Sequence, residues 1–538
     1  MQIISLFLTI FPEWILTHGA ASLVVVPLIL AVLTALNTHA KIAWATVLAV
    51  TALCVFTSLG LLLQVISHGP IHYNMGGWQP PLGIGYYVDG LNAPILLLIS
   101  VMAFLCTIYA LPSVAAEVEP KKSGPFYAAF LISFAGLLGM VVTADAFNVF
   151  VFLEVSSIST YVLVGMGASR DRRALTSSFN YLIMGSIGAT FFVIGIGFLY
   201  MQTGTLNMMD IARVLQDIGP NDRVVQLAFA FIVIGLGLKL AMFPLHMWLP
   251  GAYAYAPSFF TAFLAATATK AALYLLLRFT FTVFDPSWDF IATALMILLA
   301  GMGILGMLAA SLQAIFQNDL RRVLAYSSVA QVGYMLLGIG MATTLGLTAG
   351  YLHMLNHAMM KGALFIAAGA FWYRFGITQV SDMRGLGKTM PWTMAGFTVA
   401  GISLIGVPGT AGFVSKLTLV RAAAENGWWW AIGVIVVTSI LAIIYIGRII
   451  EQAYFQSVPE INGKPAVRNE APYTMLIPLW IMALASVAFG INAEWTTSLA
   501  EAAAHVLDAG PNTVIPGAHD VVPVVPTLPT LPTVDGGH

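Results

Sequence analysis

The chain has 538 residues, of which 59% are hydrophobic and 8% charged, with a net charge of −1. Soluble domains carry about 25% charged residues, so the composition excludes an ordinary soluble protein. The near-neutral balance offers no basic surface for nucleic acid. The two cysteines, Cys54 and Cys106, lie in apolar stretches and suggest neither a disulfide framework nor a metal cluster, and no cofactor is expected. The first eleven residues contain no Lys or Arg, so a cleaved signal peptide is not expected.

Apolar stretches of about 20 residues, the length that crosses a bilayer, lie near 18–36, 42–66, 90–111, 125–143, 147–167, 178–203, 225–248, 257–281, 289–310, 322–341, 346–374, 392–422, 428–450 and 472–492. The sequence therefore reads as an all-α integral membrane protein of about fourteen transmembrane helices. Residues 1–17 are apolar but short, and either lengthen the first helix or lie in the interface. Alternate loops, beginning after the first span, hold fourteen of the 22 Lys and Arg residues with their adjoining helix ends. Lys41, Lys121, Lys122, Arg170, Arg321 and Arg448 are among them. The opposite loops hold Arg213, Arg223, Arg278 and Arg421. By the positive-inside rule the first set is cytoplasmic and both termini are outside.

Two spans carry signs of interruption. Leu236 to Lys270 reads LGLKLAMFPLHMWLPGAYAYAPSFFTAFLAATATK and combines two lysines, a histidine and three prolines. Pro244 removes a backbone donor and clashes with the preceding turn, which predicts a break in the seventh helix. Broken helices persist in membranes where the freed backbone is buried in protein or lines a wet cavity. The second is ISLIGVPGTAGFVSKLTLV, with Pro408, Gly409 and Gly412 before Lys416, five spans later. An odd offset turns the second copy the other way, so the pair points to an inverted repeat around a central site. The chain then divides into N-terminal helices (1–124), a first five-helix repeat (125–281), a second (289–450), a C-terminal helix with its flanks (451–507) and a proline-rich tail (508–538). The tail repeats proline in VVPVVPTLPTLPTV, which favours extended polyproline II.

Ionisable residues inside a membrane are functional candidates by default. A lysine at the centre of a spanning helix costs roughly 2.5–3.5 kcal/mol on insertion scales, so Lys239 and Lys270 need compensation. Snorkelling to an interface is the alternative, but apolar residues flank both for more than two turns on the N-terminal side. Glu154, about two turns into the fifth span, is the natural partner of Lys239, because an opposite charge offsets desolvation. The two form either a working pair or a structural ion bridge. His246 follows Lys239 by seven residues, which on an unbroken helix shares its face. YLHMLNHAMMKGALFIAAG spaces His353, His357 and Lys361 at successive i,i+4 steps. Such a stripe passes protons, rests on helix neighbours, or, with less support because no acid or cysteine is near, binds zinc. Glu154, Lys239, His246, Lys270, His353, His357, Lys361 and Lys416 thus form a series of buried titratable groups, with Ser327, Ser328 and Gln331 placed to hold waters among them. No phosphate loop or nucleophile elbow accompanies them, so a transporter subunit is expected rather than an enzyme.

Together, YYVDGLNAP, the Glu154 span, KLAMFPLHMWLP, QNDLRRVLAYSSVAQVGYM, MLNHAMMKGALFIAAG and GVPGTAGFVSK resemble the antiporter-like subunits of Mrp-type cation/proton antiporters, respiratory complex I and membrane-bound hydrogenases. The resemblance runs from about Asp89 to Arg448. It implies that Glu154 and Lys239 form the pair driving proton movement, that Lys270, His353 and His357 continue the path, and that Lys416 ends it. Gly251, Tyr253 and Tyr255 replace the Asp, His and Glu usual in complex I members, and LPGAYAYAP is more similar to the D-type Mrp subunit. EVSSISTY resembles the hydrogenase-associated versions. The implied function is a proton-conducting subunit of a multisubunit Na⁺ or K⁺/proton antiporter. The alternative is a proton-pumping membrane subunit of a hydrogenase or complex I-type enzyme. Either implies other membrane subunits as partners, in the lipid bilayer of a bacterial or archaeal cell membrane.

Overall fold

The computed structural model describes residues 8–511 except 459–466, where only the backbone of 460–461 and 464–465 is described. The tail expected over 508–538 lies outside the described residues beyond 511. The chain is helical because a backbone crossing lipid must satisfy its own polar groups. It opens with α1 (Glu13–Ala35) and α2 (Ala40–His68), followed by a small antiparallel hairpin of β1 (Ile71–Asn74) and β2 (Gly85–Val88) that sets Tyr73 opposite Tyr86. Next come α3 (Ala93–Glu117), α4 (Ser123–Val142), α5 (Ala146–Gly165), α6 (Arg173–Thr203) and the short α7 (Met208–Ile218). The first interrupted element is α8 (Arg223–Leu240) with α9 (Trp248–Tyr255), and α10 (Ser258–Arg278) follows.

The second half begins with α11 (Asp289–Ala294), which runs through a wider π-turn at Leu295–Gly301 into α12 (Met302–Phe316). It continues with α13 (Leu320–Gly340), α14 (Thr344–Phe375) and one turn of α15 (Leu386–Thr389). The second interrupted element is α16 (Pro391–Ile405) with α17 (Ala411–Glu425). The chain ends with α18 (Trp429–Phe455), α19 (Tyr473–Ile491) and α20 (Glu494–Asp508). Loops return into helices through side-chain caps: Asp145, Asp222, Asp319 and Thr343 each accept from a backbone N–H of the first turn.

Among the described residues, twelve helices are long and apolar enough to cross a membrane. Beside these stand α14, 32 residues long with its polar stripe inside it, and the 15-residue α16 and α17. Both interruptions expected at Pro244 and Pro408 are present as non-helical segments. The sequence reading passed over α7 and α20, which are too short and too polar to register as spans. The small residues Ala500, Ala503 and Ala504 of α20 pack it against α14. That helix is the hub: it touches α3, α10, α13, α16, α17, α19 and α20. Helices α6, α18 and α19 instead expose apolar flanks such as Phe179, Ile440 and Leu484.

Two buried polar networks hold α10 in place. At its C-terminal end Arg278 pairs with Asp89 at 2.8 Å, each side chain only 2% exposed. Asp89 Oδ1 also accepts from the backbone N–H groups of Leu91 and Asn92, and Asn92 donates to the carbonyls of Tyr87 and Val141. At its N-terminal end Glu117 pairs with Arg170 at 2.6 Å and accepts from Ser258 N at 3.1 Å. Arg170 continues to the Ala254 carbonyl, while Arg321 donates to Ser258 Oγ and to the Ala256 carbonyl. Because Asp89 precedes α3 and Glu117 ends it, α3 and α10 lie antiparallel, joined at both ends. Arg170, Arg321 and Arg278, counted among the cations of the loops and adjoining helix ends, are drawn inward by carboxylates or carbonyls.

Removing one member of a buried pair leaves an uncompensated charge, at a cost of about 3–5 kcal/mol. Asp89→Asn and Arg278→Met are each expected to lower the thermal midpoint in detergent, and the double Asp89→Leu/Arg278→Leu variant to lie closer to wild type than either. Single variants melting like wild type would show that the pair does not hold α10.

Candidate functional site

The first interruption starts three residues before its proline. Pro244 has no N–H to offer the Leu240 carbonyl, and α8 ends there. Ala241 turns left-handed at φ 60°, and its N–H and that of Met242 close on the Leu238 and Gly237 carbonyls. The Trp248 indole covers the Leu238 carbonyl at 2.9 Å. Lys239 therefore lies in the last turn of a half-helix, almost fully buried. Its ammonium is 3.9 Å from Glu154 Oε1, and it donates to Ser157 Oγ at 2.5 Å and to Tyr161 Oη at 3.4 Å. Glu154 and Lys239 are thus brought together, with two hydroxyls of α5 closer to the lysine than the carboxylate.

His246 falls in the connector between α8 and α9. The helix ends between it and Lys239, so the shared face expected of an unbroken helix does not exist. Its ring stacks on Phe243 at 5.3 Å and meets Tyr326 of α13 edge-on at 6.3 Å. Its polar neighbours are the Gln313 side chain of α12 and the Pro244 backbone. The structure thus turns His246 toward the second half of the molecule. From Lys239 toward α9, aromatic contacts continue: Tyr161 meets Tyr181 edge-on at 4.8 Å, and Tyr181 stacks on Trp248 at 4.0 Å.

Lys270 is fully buried in the middle of α10, donating to the Ala265 carbonyl at 2.6 Å and to Thr269 Oγ1 at 3.3 Å. Among the described residues no carboxylate lies within 4.0 Å of it. It lies within electrostatic reach of His353, His357 and Lys361 across the α10–α14 contact. On α14 the rings of His353 and His357 stack at 6.2 Å. His353 Nε2 meets Gln331 Oε1 at 2.9 Å and Nδ1 meets Ser415 Oγ at 2.8 Å, whereas both nitrogens of His357 are without a protein partner. Lys361 donates to the Leu324 carbonyl at 2.8 Å and to Ser327 Oγ. Ser327 and Gln331, expected to hold waters, also bond the stripe directly, and Ser328 donates to the Leu324 carbonyl that Lys361 shares.

At the second interruption Lys416 serves as the cap. Pro408 leaves the Leu404 carbonyl without its helical donor, and Lys416 Nζ donates to it at 3.2 Å, to the Ile405 carbonyl at 2.9 Å and to Ser439 Oγ at 3.2 Å. The ammonium also sits 4.6 Å from the centre of the Tyr334 ring. A cation at a half-helix C-terminus is favoured by the dipole. A cavity of about 250 Å³, lined by Lys416, Ser439 and apolar residues such as Ile440 and Ile443, reaches this point.

Two groups result: α5 and α8 meet at the Lys239 ammonium, and basic and hydroxyl groups of α10, α13, α14, α17 and α18 meet at hydrogen-bond or short electrostatic spacing around the α14 stripe and Lys416. Amines, imidazoles and hydroxyls of this kind can bind and release protons. Sequence reasoning missed Ser157 and Tyr161, although their offsets of three and seven residues from Glu154 mark one helix face. It also missed Ser415, Ser439 and Tyr334, whose relevance comes from partners on other helices.

Residues 143–442 match the family described as NADH:quinone oxidoreductase/Mrp antiporter, TM. The NADH-quinone oxidoreductase subunit N of Desulforudis audaxviator is 39% identical over 489 residues, covering 89% of this chain and 96% of that protein. The D-type subunit of the Na(+)/H(+) antiporter from Alkalihalophilus pseudofirmus is 31% identical over 442 residues, covering 81% and 86%. A chain of the membrane-bound sulfane sulfur reductase, an archaeal respiratory membrane complex, superposes with a TM-score of 0.83 at 32% identity, covering 91% of this chain and 98% of that one. The D-type likeness read from LPGAYAYAP thus stands beside a higher identity to a subunit N.

Gly412 opens α17 where it crosses α16, and a Cβ there would lie 1.8 Å from the Ser403 carbonyl oxygen. Gly412→Ala must push the half-helices apart, and overpacking of this kind costs about 1–3 kcal/mol. It is expected to lower the thermal midpoint, whereas Gly433→Ala, with nothing within 4 Å, leaves it unchanged. Equal midpoints for both variants would show that the α16–α17 crossing yields freely.

Proposed function

The chain belongs to the NADH:quinone oxidoreductase/Mrp antiporter transmembrane family, and from that premise we propose that it is the proton-conducting, antiporter-like subunit of a multisubunit membrane complex that exchanges protons for Na⁺ or K⁺. The observation that carries this reading is the buried Glu154–Lys239 pair at 3.9 Å beside a broken helix. In this reading the buried basic groups continue from it through Lys270, with Lys361 beside it, and then His357 and His353 to Lys416. An isolated lysine buried at zero exposure, as Lys270 is, has no role in packing that a leucine would not fill better.

In this mechanism Glu154 holds the proton of Lys239 by its charge, and breaking the pair frees that proton toward Lys270. Lys270 and Lys416 alternate in charge, because two ammonium groups sharing a low-dielectric interior repel each other through the histidines between them. A proton arriving at one favours release from the other, with no large helix motion. His246, turned toward Tyr326, stands beside this row as a side entry. We infer from the positive-inside rule, with most Lys and Arg in alternate loops and adjoining helix ends, that those loops face the cytoplasm and both termini lie outside.

A second reading, the proton-pumping membrane subunit of a redox complex, is favoured by the 39% identity to an NADH-quinone oxidoreductase subunit N. Purifying the native complex separates the two. Flavin or iron–sulfur absorbance that copurifies with this chain selects the redox pump, and membrane subunits alone select the antiporter.

Glu154→Gln and Lys239→Ala are each expected to leave the complex assembled and to reduce transport to the level of empty vesicles, read as dissipation of a pH gradient after cation addition. Near-normal transport in either removes the pair from the mechanism. Lys416→Ala and Lys416→Arg are expected to be inactive, the latter because arginine does not release its proton at accessible pH, whereas Lys416→Glu retains part of the rate. An active Lys416→Arg variant would mean that residue 416 supplies fixed charge alone.

A further inference from the structure

The Lys239 ammonium has three protons to donate, and α5 offers it three acceptors in a row. Glu154, Ser157 and Tyr161 lie on one face of the helix, at 3.9, 2.5 and 3.4 Å from Nζ. The two shorter contacts are to neutral hydroxyls, while Glu154 Oε1 is left without a hydrogen-bond partner. Ser157 spends its own proton on the Leu153 carbonyl at 2.6 Å, which leaves its oxygen free to accept. The Tyr161 hydroxyl is set by the helix opposite: Gly185 of α6 leaves the space it occupies, since a Cβ at 185 would lie 1.9 Å from Oη. Tyr181 closes on the Tyr161 ring edge-on.

We propose that Ser157 and Tyr161 are positioning residues forming a second dock for the Lys239 ammonium, in competition with Glu154. The inference rests on the proton-conducting role proposed above and names the partner that receives the lysine when the ion pair is broken. A carboxylate cancels the charge of the ammonium, whereas hydroxyls hold it by hydrogen bonds and leave its charge in place. Docked on α5 hydroxyls, the lysine remains a full cation in a medium where charges act strongly, ready to give up its proton. Pulled to Glu154, it retains the proton. Nζ already stands within 4 Å of all three acceptors, so exchange between the docks needs no backbone movement.

The test uses the whole complex in vesicles, with transport measured across a pH series. Ser157→Ala/Tyr161→Phe is expected to slow transport about a hundredfold, the loss of two hydrogen bonds to a charged group at about tenfold each. Its optimum moves to higher pH by about one unit, because Glu154 is then the sole partner of the lysine. Ser157→Thr, which keeps both hydroxyls, is expected to retain the wild-type profile. Gly185→Ala, which expels the Tyr161 hydroxyl, is expected to behave like Tyr161→Phe. If the double variant fails to assemble, Tyr161→Phe alone, which keeps the ring packing, is read against the same profile. A wild-type rate and profile in the hydroxyl variants with Glu154→Gln inactive overturns the dock and leaves the proton path standing. An active Glu154→Gln overturns the path itself.

Discussion

The antiparallel clamp between α3 and α10 is the constraint on which the interior depends. Asp89 before α3 takes Arg278 at one end of α10, and Glu117 at the end of α3 takes the Ser258 N–H and Arg170 at the other. Buried ions are seldom a net source of stability, because desolvation offsets their attraction. Their use here is positional: each charge has one place it can be satisfied, so α10 cannot slide or rotate. Lys270 sits midway along that helix. Its height and heading toward the histidines of α14 follow from the two clamps.

The two interrupted helices solve one problem in different ways. A break frees carbonyls that lipid cannot satisfy. At the first break the Leu238 carbonyl accepts from both the Ala241 N–H and the Trp248 indole, and Lys239 is left to face α5. At the second, Lys416 itself covers the Leu404 and Ile405 carbonyls. One lysine is thus released by an aromatic cap to meet a carboxylate and hydroxyls, and the other is held as the cap. The difference gives the two lysines unequal partners in spite of their similar sequence settings.

Between them α14 does the joining. It touches seven other helices, so polar groups on it are shielded from lipid on every side, and its histidines and lysine are tolerated for that reason. Gln331 and Ser415 hold His353 from two neighbouring helices, while His357 next to it has no protein partner. His353 is held at both ring nitrogens, whereas the buried His357 is held by packing and by the stacked His353 ring.

Much of this was readable in the chain itself. Long apolar runs determined that the protein spans the membrane, because length and hydropathy alone decide that. Pro244 and Pro408 determined where two helices break, since a missing N–H is a property of the residue. The i,i+4 spacing of His353, His357 and Lys361 determined a shared face, since helical geometry carries it. Tertiary structure alone decided which partner each charge received. It drew Arg170, Arg278 and Arg321 inward, turned His246 away from Lys239 toward Tyr326, and put Ser157 closer to Lys239 than Glu154 stands. Those choices depend on contacts between residues far apart in sequence, made by helices whose packing no local pattern encodes.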